Sequence, residues 1–379
     1  MKRLLSLIGV CVLSAVCILS SPIAANAAQT SPVVANVAQT SSVVANAAQI
    51  SQIAAKAAQT NQNQMQSVVI TLAGDCSIGK LSVHGYNGSF DQYFDKYGPE
   101  YFFQNVKPYF DLSDMTLVNF EGVLTDSNKL VEKQYNIKGR PEFISVIPAA
   151  GIDAVSFGNN HRIDYGDQGV NDTIAAFNSI NLPYAFDQYC GCFVTDSGVK
   201  VGFVSVNHVY DGNKVEPFLQ NGIANLRAAG CDIVLACCHW GVECTYYPTK
   251  AQKTLGHKCI DWGADMVVGS HPHVLQGFEY YNGKYIIYSL GNFCFGGHMN
   301  PKDKKSMIVM ATFNVKDKAV VGESALQVIP CTISSRTDKN DYCPTPATGN
   351  MYNTIISNLN SYSRGMKVSI DSLGRLIHE

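Results

Sequence analysis

The stretch ADMVVGSHPH, residues 264–273, joins a run of apolar residues to two histidines, His271 and His273. The apolar part has the composition of a buried strand, and the histidines follow where that strand is predicted to end. The same arrangement recurs along the chain, where apolar runs end in acidic, amide or imidazole residues and alternate with helix-like segments. This alternation predicts an α/β domain with much parallel strand pairing.

Six other apolar runs share this design. They are SVVITLAGD (67–75), DMTLVNFEG (114–122), IDAVSFGNNH (152–161), VKVGFVSVNH (199–208), CDIVLACCHWG (231–241) and KYIIYSLGNF (284–293). The helix-like segments between them are QGVNDTIAAFNSI (168–180), FLQNGIANLRAAG (218–230) and TKAQKTLGHKCIDWG (249–263). Because chemistry collects at the carboxyl ends of strands in such sheets, we expect the polar side chains there to meet in one crevice.

The residues expected at this edge are acids, amides and imidazoles. They are Asp75, Glu121, Asn159, Asn160, His161, His208, His239, His271, His273 and Asn292. Taken singly, each is typical of a loop, a turn or a helix cap. Gathered in one crevice, they would repel one another or lack partners unless cations lay among them. Carboxylate and imidazole together suit zinc, manganese or iron, so the pattern predicts one or two divalent metals.

Residues 1–27 have the anatomy of a secretory signal peptide. Lys2 and Arg3 precede an apolar stretch, and Ala25 and Ala27 form an A-x-A cleavage site. An uncleaved membrane anchor is the alternative. We therefore expect an exported protein, either secreted or associated with the cell wall or cell surface.

Residues 25–64 repeat one ten-residue unit four times with drift: ANAAQTSPVV, ANVAQTSSVV, ANAAQISQIA and AKAAQTNQNQ. The unit is small and polar, and it has no large side chains with which to build a core. It predicts a flexible tether over residues 28–66. An amphipathic helix is the weaker alternative because Ser, Thr, Asn and Pro interrupt its turns.

The composition is ordinary for a globular protein, with 46% hydrophobic and 15% charged residues and a net charge of -2. It gives no reason to expect a nucleic-acid partner. Thirteen cysteines are present, two of them in the signal and eleven in the mature chain. An odd number outside the cell leaves at least one free thiol or an intermolecular bond. Cysteines in apolar strands, such as Cys231, Cys237 and Cys238, commonly act as small hydrophobes.

Six motifs carry a family resemblance. In chain order they are AGD (73–75), NFEG (119–122), GNNHRIDYG (158–166), HWGVE (239–243), GADMVVGSHPHV (263–274) and YSLGNF (288–293). They closely resemble the CapA-type bacterial capsule-synthesis proteins, the poly-γ-glutamate type, of the calcineurin-like metallophosphoesterase superfamily. The resemblance implies a four-layer α/β/β/α metallophosphoesterase-like sandwich, in which two packed sheets carry helices on their outer faces.

The resemblance also implies metal ligands. In metallophosphoesterases a Gly-His-x-His turn follows a strand, so His271 and His273 would be divided between two divalent metals, each of them Mn, Zn, Fe or Mg. Asp75 would be the carboxylate of the first strand, and Glu121 would stand at or near the bridging acid. The metals would polarise a phosphoryl oxygen and activate water.

The remaining roles concern the second metal and the proton. By the same resemblance, Asn160 would ligate the second metal together with His239, and His161 would protonate the leaving group without being a ligand. Asp164, three residues after His161, would hold that ring in its useful tautomer. Simple helix capping by Asp164 is an equal alternative.

Two further residues are candidates for contact with substrate, Glu243 and Asn292. Glu243 alternatively orients His239, and the sequence leaves these two roles open.

The pattern departs from the superfamily at two positions. The superfamily's first motif is Asp-x-His, but Cys76 and Ser77 follow Asp75, so one histidine ligand is absent. The bridging acid is Glu121 instead of an aspartate. We therefore expect one metal position to be weaker or differently built, which puts ordinary phosphatase activity in doubt.

Two functions are compatible with these residues. The first is a metal-dependent hydrolase of capsule biosynthesis, acting on a phosphoester or a cell-envelope polymer. The second is a non-catalytic, metal-binding component of a capsule polymer assembly or export complex, with capsule-synthesis membrane proteins as partners. His161 and Asn160 favour the enzyme because a structural site needs no acid beside its metals, whereas the missing histidine favours the component.

The chain is predicted to divide after the tether into a main domain over residues 67–330 and a C-terminal extension over residues 331–379. The segment TGNMYNTIISNLNSYSRG (348–365) predicts a polar terminal helix within that extension.

Overall fold

The computed structural model describes residues 65–378. The predicted signal peptide and almost all of the predicted tether lie outside these residues. No helix within residues 65–378 is both long enough and apolar enough to cross a membrane.

The strands of the described chain belong to two large sheets and two small ones. In chain order they are β1 (Gln66–Ser77), β2 (Lys80–Leu81), β3 (Met115–Phe120), β4 (Val123–Leu124), β5 (Ile137–Gly139), β6 (Ala154–Ser156), β7 (Tyr184–Ala185), β8 (Gly191–Val194), β9 (Lys200–Asn207), β10 (Ile233–His239), β11 (Met266–Ser270), β12 (Phe278–Tyr281), β13 (Lys284–Ile287), β14 (Asn292–Phe295), β15 (Lys305–Lys316), β16 (Ala319–Val320), β17 (Ala325–Thr332), β18 (Thr345–Pro346), β19 (Val368–Ile370) and β20 (Leu376–His378).

The helices fall between the strands, as the alternation in the sequence predicts. They are α1 (Phe90–Tyr97), α2 (Lys107–Phe110), α3 (Val146–Ala150), α4 (Gly166–Ser179), α5 (His208–Asp211), α6 (Glu216–Ala228), α7 (Lys250–Asp261) and α8 (Gly349–Tyr362), with short 3₁₀ turns at Pro99–Tyr101, Pro141–Ser145 and Gly212–Val215. The helices predicted from the three helix-like segments are confirmed as α4, α6 and α7, and the predicted terminal helix is confirmed as α8. A capping box between Thr249 and Gln252 starts α7 by satisfying two backbone N–H groups.

The two large sheets contain the predicted parallel strands. The first has the order β18-β17-β15-β1-β3-β6-β7, with β14 also paired to β1, and the second has the order β12-β13-β11-β10-β9-β8. The strands β1, β3, β6 and β7 are parallel in the first sheet, as are β9, β10, β11 and β13 in the second. The run at 284–293, which predicts one strand, instead forms β13 in the second sheet and β14 in the first.

Three hydrophobic clusters show how the layers pack. Residues from the facing sides of both sheets, such as Leu72 and Leu235, share one cluster. A second cluster lies on the outer side of the first sheet, where Phe120 packs with residues of α1 and α4. A third cluster lies on the outer side of the second sheet and includes residues of α6 and α7. Since side chains alternate between the two faces of a strand, each buried strand serves two clusters. The predicted four-layer α/β/β/α sandwich is confirmed.

Close backbone packing brings β14 onto β1. A Cβ atom at Gly74 would lie 1.9 Å from the carbonyl oxygen of Gly291, a separation that no side chain allows. The N–H of the next residue, Asp75, donates to that same oxygen at 2.9 Å. Glycine at 74 therefore lets the first-strand carboxylate lie beside the start of β14.

Residues after 330 are built into the same compact unit as the rest of the described chain. The predicted boundary at 330 lies inside β17, whose eight residues pair with β15. Ile355 and Leu359 of α8 belong to the cluster between the sheets. The C-terminal residues thus complete the sandwich because they cover apolar surface that its strands leave open.

Candidate metal centre

The carboxyl ends of the central strands from both sheets meet at one edge of the sandwich. Asn119, in β3 of the first sheet, places Nδ2 at 3.4 Å from Nδ1 of His239, the last residue of β10 in the second. The N–H of His271, after β11, donates to Oδ2 of Asp75 in β1 at 3.3 Å. Contacts of this kind join the two sheets through polar side chains, as the strand pattern predicts.

Glu121 lies at the centre of this edge. Its side chain is fully buried, and neither carboxylate oxygen has a hydrogen-bond partner. Three imidazoles surround one of the two oxygens, Oε1. The Nε2 atoms of His239 and His273 each lie 3.7 Å from it, and Nε2 of His161 lies at 3.9 Å.

The geometry around Glu121 fits a divalent cation. Burying a carboxylate without hydrogen bonds costs several kcal/mol unless another group compensates its charge. Two atoms that bind one ion at about 2.0–2.2 Å lie at most about 4.4 Å apart. The separations of 3.7 Å from the Glu121 oxygen to two imidazoles fall within that limit. A metal among these atoms would satisfy the buried oxygen and use imidazoles as ligands.

Two overlapping groups of ligand atoms extend along the crevice. One group consists of Asp75, Glu121 and His273, and the other consists of Glu243, His271 and His273. Within each group, the ligand atoms all lie within 4.8 Å of one another. His273 belongs to both groups. The arrangement could hold cations at neighbouring positions, with His273 between them.

The charge state of His273 reflects these carboxylates. Burial lowers its pKa, but Glu121 and Asp75 outweigh burial and raise the pKa of His273 to about 10. Its Nδ1 lies 2.8 Å from Oδ1 of Asn292 and 3.3 Å from Oδ2 of Asp75. These contacts orient the ring and direct Nε2 toward Glu121. The crevice thus strongly favours positive charge at this point.

The other two candidate histidine ligands are held neutral. Burial, reinforced by neighbouring histidines, lowers the pKa of His239 well below its usual value. Burial also lowers the pKa of His271 to about 3. Neutral imidazole is the form that binds metal. Nδ1 of His271 is buried without a hydrogen-bond partner, so it is available as a ligand atom.

The turn that carries the two histidines has an unusual backbone. His271 has a φ of 95° and His273 a φ of 58°, in the region that non-glycine residues rarely adopt. Such conformations persist where the surrounding structure holds them, and they cluster at functional sites. Here the turn places both imidazoles in the crevice.

A second set of contacts holds His161. Its Nδ1 lies 2.8 Å from Oδ2 of Asp164, which is completely buried and also accepts the N–H of Ile137 at 2.5 Å. Lys133 forms a short ion pair with Oδ1 of Asp164 and donates to the carbonyl of Asn160 at 3.0 Å. With Nδ1 held in this way, Nε2 of His161 is the ring nitrogen that faces Glu121.

Comparison with known proteins decides the family. The model of the family described as "Bacterial capsule synthesis protein PGA_cap" matches residues 69–297. The chain belongs to this family. The family resemblance carried by the six sequence motifs is thereby confirmed.

Two relatives illustrate the extent of the similarity. The chain is 28% identical over 300 residues to the capsule biosynthesis protein CapA of Bacillus anthracis, covering 72% of this chain and 69% of that protein. It is 32% identical over 221 residues to the PGA biosynthesis protein CapA of Bacillus subtilis (strain 168), covering 52% and 57%. Among solved structures, a hypothetical protein from Thermus thermophilus aligns with a TM-score of 0.42 and 13% identity, over 69% of this chain and 99% of that one.

The residues that the CapA-type resemblance implies as ligands lie together in the structure. They are Asp75, Glu121, Asn160, His239, His271 and His273, which are linked by the contacts above and by a separation of 2.7 Å between Oδ1 of Asn160 and Nε2 of His239. Of the residues proposed for substrate contact, Asn292 supports His273. Glu243 is exposed and shares a group of ligand atoms with His271 and His273. His208, at the start of α5, takes no part in these contacts.

The structure adds residues that sequence reasoning did not single out. Ser270 Oγ lies 2.9 Å from Nδ1 of His239 and thereby orients that ring, a role that the sequence analysis considered for Glu243. Asn119 donates to Oδ1 of Asp75 at 2.8 Å. Its position at the end of β3, two residues before Glu121, was a usable signal, because the carboxyl end of this strand faces the crevice. Lys133 lies in an irregular segment that offered no such signal.

Ser77 occupies the position where the superfamily motif has histidine. It is buried, and its Oγ has no hydrogen-bond partner. A hydroxyl is a much weaker metal ligand than imidazole, so this side of the crevice depends on Asp75 and on the histidines after β11.

Proposed function

We propose that the protein is an exported, metal-dependent hydrolase of the phosphoesterase type that acts in the biosynthesis of a poly-γ-glutamate type capsule. Its substrate would be a phosphoester or the cell-envelope polymer itself. Family membership supports the capsule role, since the matched relatives are named as capsule and PGA biosynthesis proteins. The signal-like residues 1–27 support export.

The observation that carries the enzyme proposal is the environment of Glu121. The buried Glu121 carboxylate has no hydrogen bond and faces three imidazole nitrogens within 3.9 Å. Burying such a group lowers the stability of the fold unless a cation compensates its charge. This is the arrangement expected of a site that binds cations. Asp75, Asn160 and His271 would complete the ligands.

The chain's own residues have distinct roles in the proposed reaction. Bound divalent ions would supply positive charge that polarises a phosphoryl or carbonyl oxygen of the substrate. Asp164 holds Nδ1 of His161, so Nε2 is directed to the crevice, where it can donate a proton to the leaving group. Burial lowers the pKa of His161 although Asp164 opposes it. The negative charge of a bound substrate would counter the effect of burial and favour the protonated ring.

An activity assay tests this proposal. The full chain is loaded with Mn²⁺ or Zn²⁺ and assayed on phosphomonoester, phosphodiester and poly-γ-glutamate substrates. The Glu121→Gln variant is assayed in the same way. We expect metal-dependent turnover of at least one substrate class by the wild type and its loss in the variant. Turnover that survives chelation or the substitution would contradict a reaction at this crevice.

A non-catalytic role in a capsule polymer assembly is the second candidate, and Ser77 is the observation that favours it. With serine in place of the superfamily histidine, one cation position has fewer strong ligands. Two results together would favour this role. The wild-type chain would bind metal but turn over none of the three substrates, and only a chain with Glu121 intact would restore the capsule to a strain that lacks this protein.

A further inference from the structure

Two thiols far from the metal crevice lie close together. Sγ of Cys192 and Sγ of Cys231 are 3.9 Å apart. Cys192 is exposed on β8, at the edge of the second sheet, whereas Cys231 is buried just before β10. All eleven cysteines within residues 65–378 are present as thiols.

Gly202 makes this approach possible. It lies directly opposite Cys192 in the antiparallel pairing of β8 with β9. A Cβ atom at position 202 would lie 2.8 Å from Sγ of Cys231, so any side chain there would displace that thiol. The absent side chain leaves the space in which the two sulfur atoms meet.

The backbone around Cys231 is well anchored. Its N–H donates to the carbonyl of Leu226 at 3.0 Å, and its carbonyl accepts from Arg227 at 3.3 Å. The sulfurs must approach by about 2 Å to reach the bonding distance of a disulfide, about 2.05 Å. Because the backbone of Cys231 is held, rotation of the more exposed Cys192 side chain is the movement that closes this gap.

The pair is also chemically poised. A hydrogen bond with the Cys231 thiol lowers the pKa of Cys192 below the usual value of a thiol. Cys192 is therefore both the more accessible and the more readily ionised of the two thiols, and the thiolate is the nucleophile in disulfide exchange. Cys238 and Cys259 also interact through a hydrogen bond, but both are buried and closed to external reagents.

We propose that Cys192 and Cys231 form an oxidisable pair that closes to a disulfide by exchange with a small-molecule disulfide. The Cys192 thiolate attacks one sulfur of the external disulfide, which releases one thiolate and leaves a mixed disulfide. Cys231 loses its proton to solvent and attacks Sγ of Cys192, which forms the internal bond and releases the second thiol. Two cysteines are oxidised and one external disulfide is reduced to two thiols.

The bond would join β8 to the segment before β10, two positions that are 39 residues apart in sequence. Such a cross-link restricts the unfolded chain and so raises stability. It would act at the sheet edge, where β8 pairs with β9 and with no other strand of residues 65–378. Formation of this bond requires neither hydrolase activity nor a bound metal.

Thiol mapping of the full chain tests the proposal. The reduced protein is treated with oxidised glutathione, free thiols are alkylated, and tryptic peptides are analysed by mass spectrometry with and without reduction. Cys190 and Cys192 share the tryptic peptide 163–200, so Cys190→Ser serves as the matched control. We expect loss of two thiols per chain, a link between peptides 163–200 and 228–250, and a higher melting temperature in both the wild type and Cys190→Ser.

The other variants decide the assignment. Cys192→Ser and Cys231→Ser should each abolish the link and the rise in melting temperature. A glutathione adduct that persists on Cys192 while Cys231 stays free would overturn the proposal. So would a link that survives in Cys231→Ser, since Cys237, Cys238 and Cys244 lie on the same tryptic peptide.

Discussion

Oδ2 of Asp164 lies 2.8 Å from Nδ1 of His161, and both side chains are buried beside the crevice around Glu121. The contact fixes which ring nitrogen faces Glu121. A carboxylate at this position also stabilises the charged form of the ring when the ring carries a second proton. The pair therefore has the geometry of a positioned proton donor.

The first prediction separates the proton donor from the ligands. His161→Ala should keep nearly all bound metal and lower turnover by roughly 10²–10⁴, the usual contribution of a positioned general acid. The loss should shrink for substrates with good leaving groups, which need little protonation. Metal analysis and steady-state kinetics on paired substrates measure both effects, with His271→Ala as the comparison. If His161→Ala loses metal as severely as His271→Ala, His161 is a ligand and the division of roles is wrong.

The second prediction concerns Lys133, whose side chain is 18% exposed while that of Asp164 is fully buried. Lys133→Met removes the positive charge next to a buried carboxylate, so it should lower the free energy of unfolding by roughly 1–3 kcal/mol. Turnover should fall as well, because Asp164 would keep its contacts with Ile137 and His161 but lose the charge that balances its own. Lys133→Arg keeps the charge and should recover much of both losses. Equal denaturation midpoints for Lys133→Met and the wild type would show that the ion pair contributes nothing.

The sequence predicts the sheets better than it predicts the details of the crevice. Apolar runs ending in polar residues were enough to expect that His239, His271 and Glu121 would converge, because parallel strands bring their carboxyl ends together. The sequence allowed Asp164 either to orient His161 or to cap a helix. In the structure its side chain contacts His161 and Ile137, and α4 begins without a side-chain cap. The roles of Ser270 and Lys133 depend on which loops pack together, and local sequence carries little information about such long-range contacts.

The third prediction tests the close packing of β1 against β14. Gly74→Ala should destabilise the fold by about 3 kcal/mol or more, because its Cβ would lie 1.9 Å from the carbonyl oxygen of Gly291. It should also displace Asp75 and weaken metal binding. Gly85→Ala is the control, since a Cβ there meets no atom within 4 Å, and its stability should stay within about 0.5 kcal/mol of the wild type. Similar thermal unfolding of the two variants would contradict this account of the packing.

The fourth prediction concerns export and the tether. N-terminal sequencing of protein recovered from the cell wall or medium should give a mature chain that begins at Ala28. Limited proteolysis should then release a stable core that begins near Ser67, since the small, polar repeat before it is predicted to be flexible. Recovery from the membrane with the leader intact would favour the anchor, and protection of residues 28–66 in the free protein would count against a flexible tether.

The most direct test of the central claim, that the crevice around Glu121 binds divalent metal, is the metal content of the full chain. After incubation with Mn²⁺ or Zn²⁺ and desalting, elemental analysis should find at least one bound ion per wild-type chain and far less in Glu121→Gln and His273→Ala. His257→Ala is the matched control, because it breaks a contact of 2.9 Å between a histidine and Glu279 outside the crevice and should leave the metal content unchanged. A wild-type chain that retains no more metal than Glu121→Gln would contradict the claim.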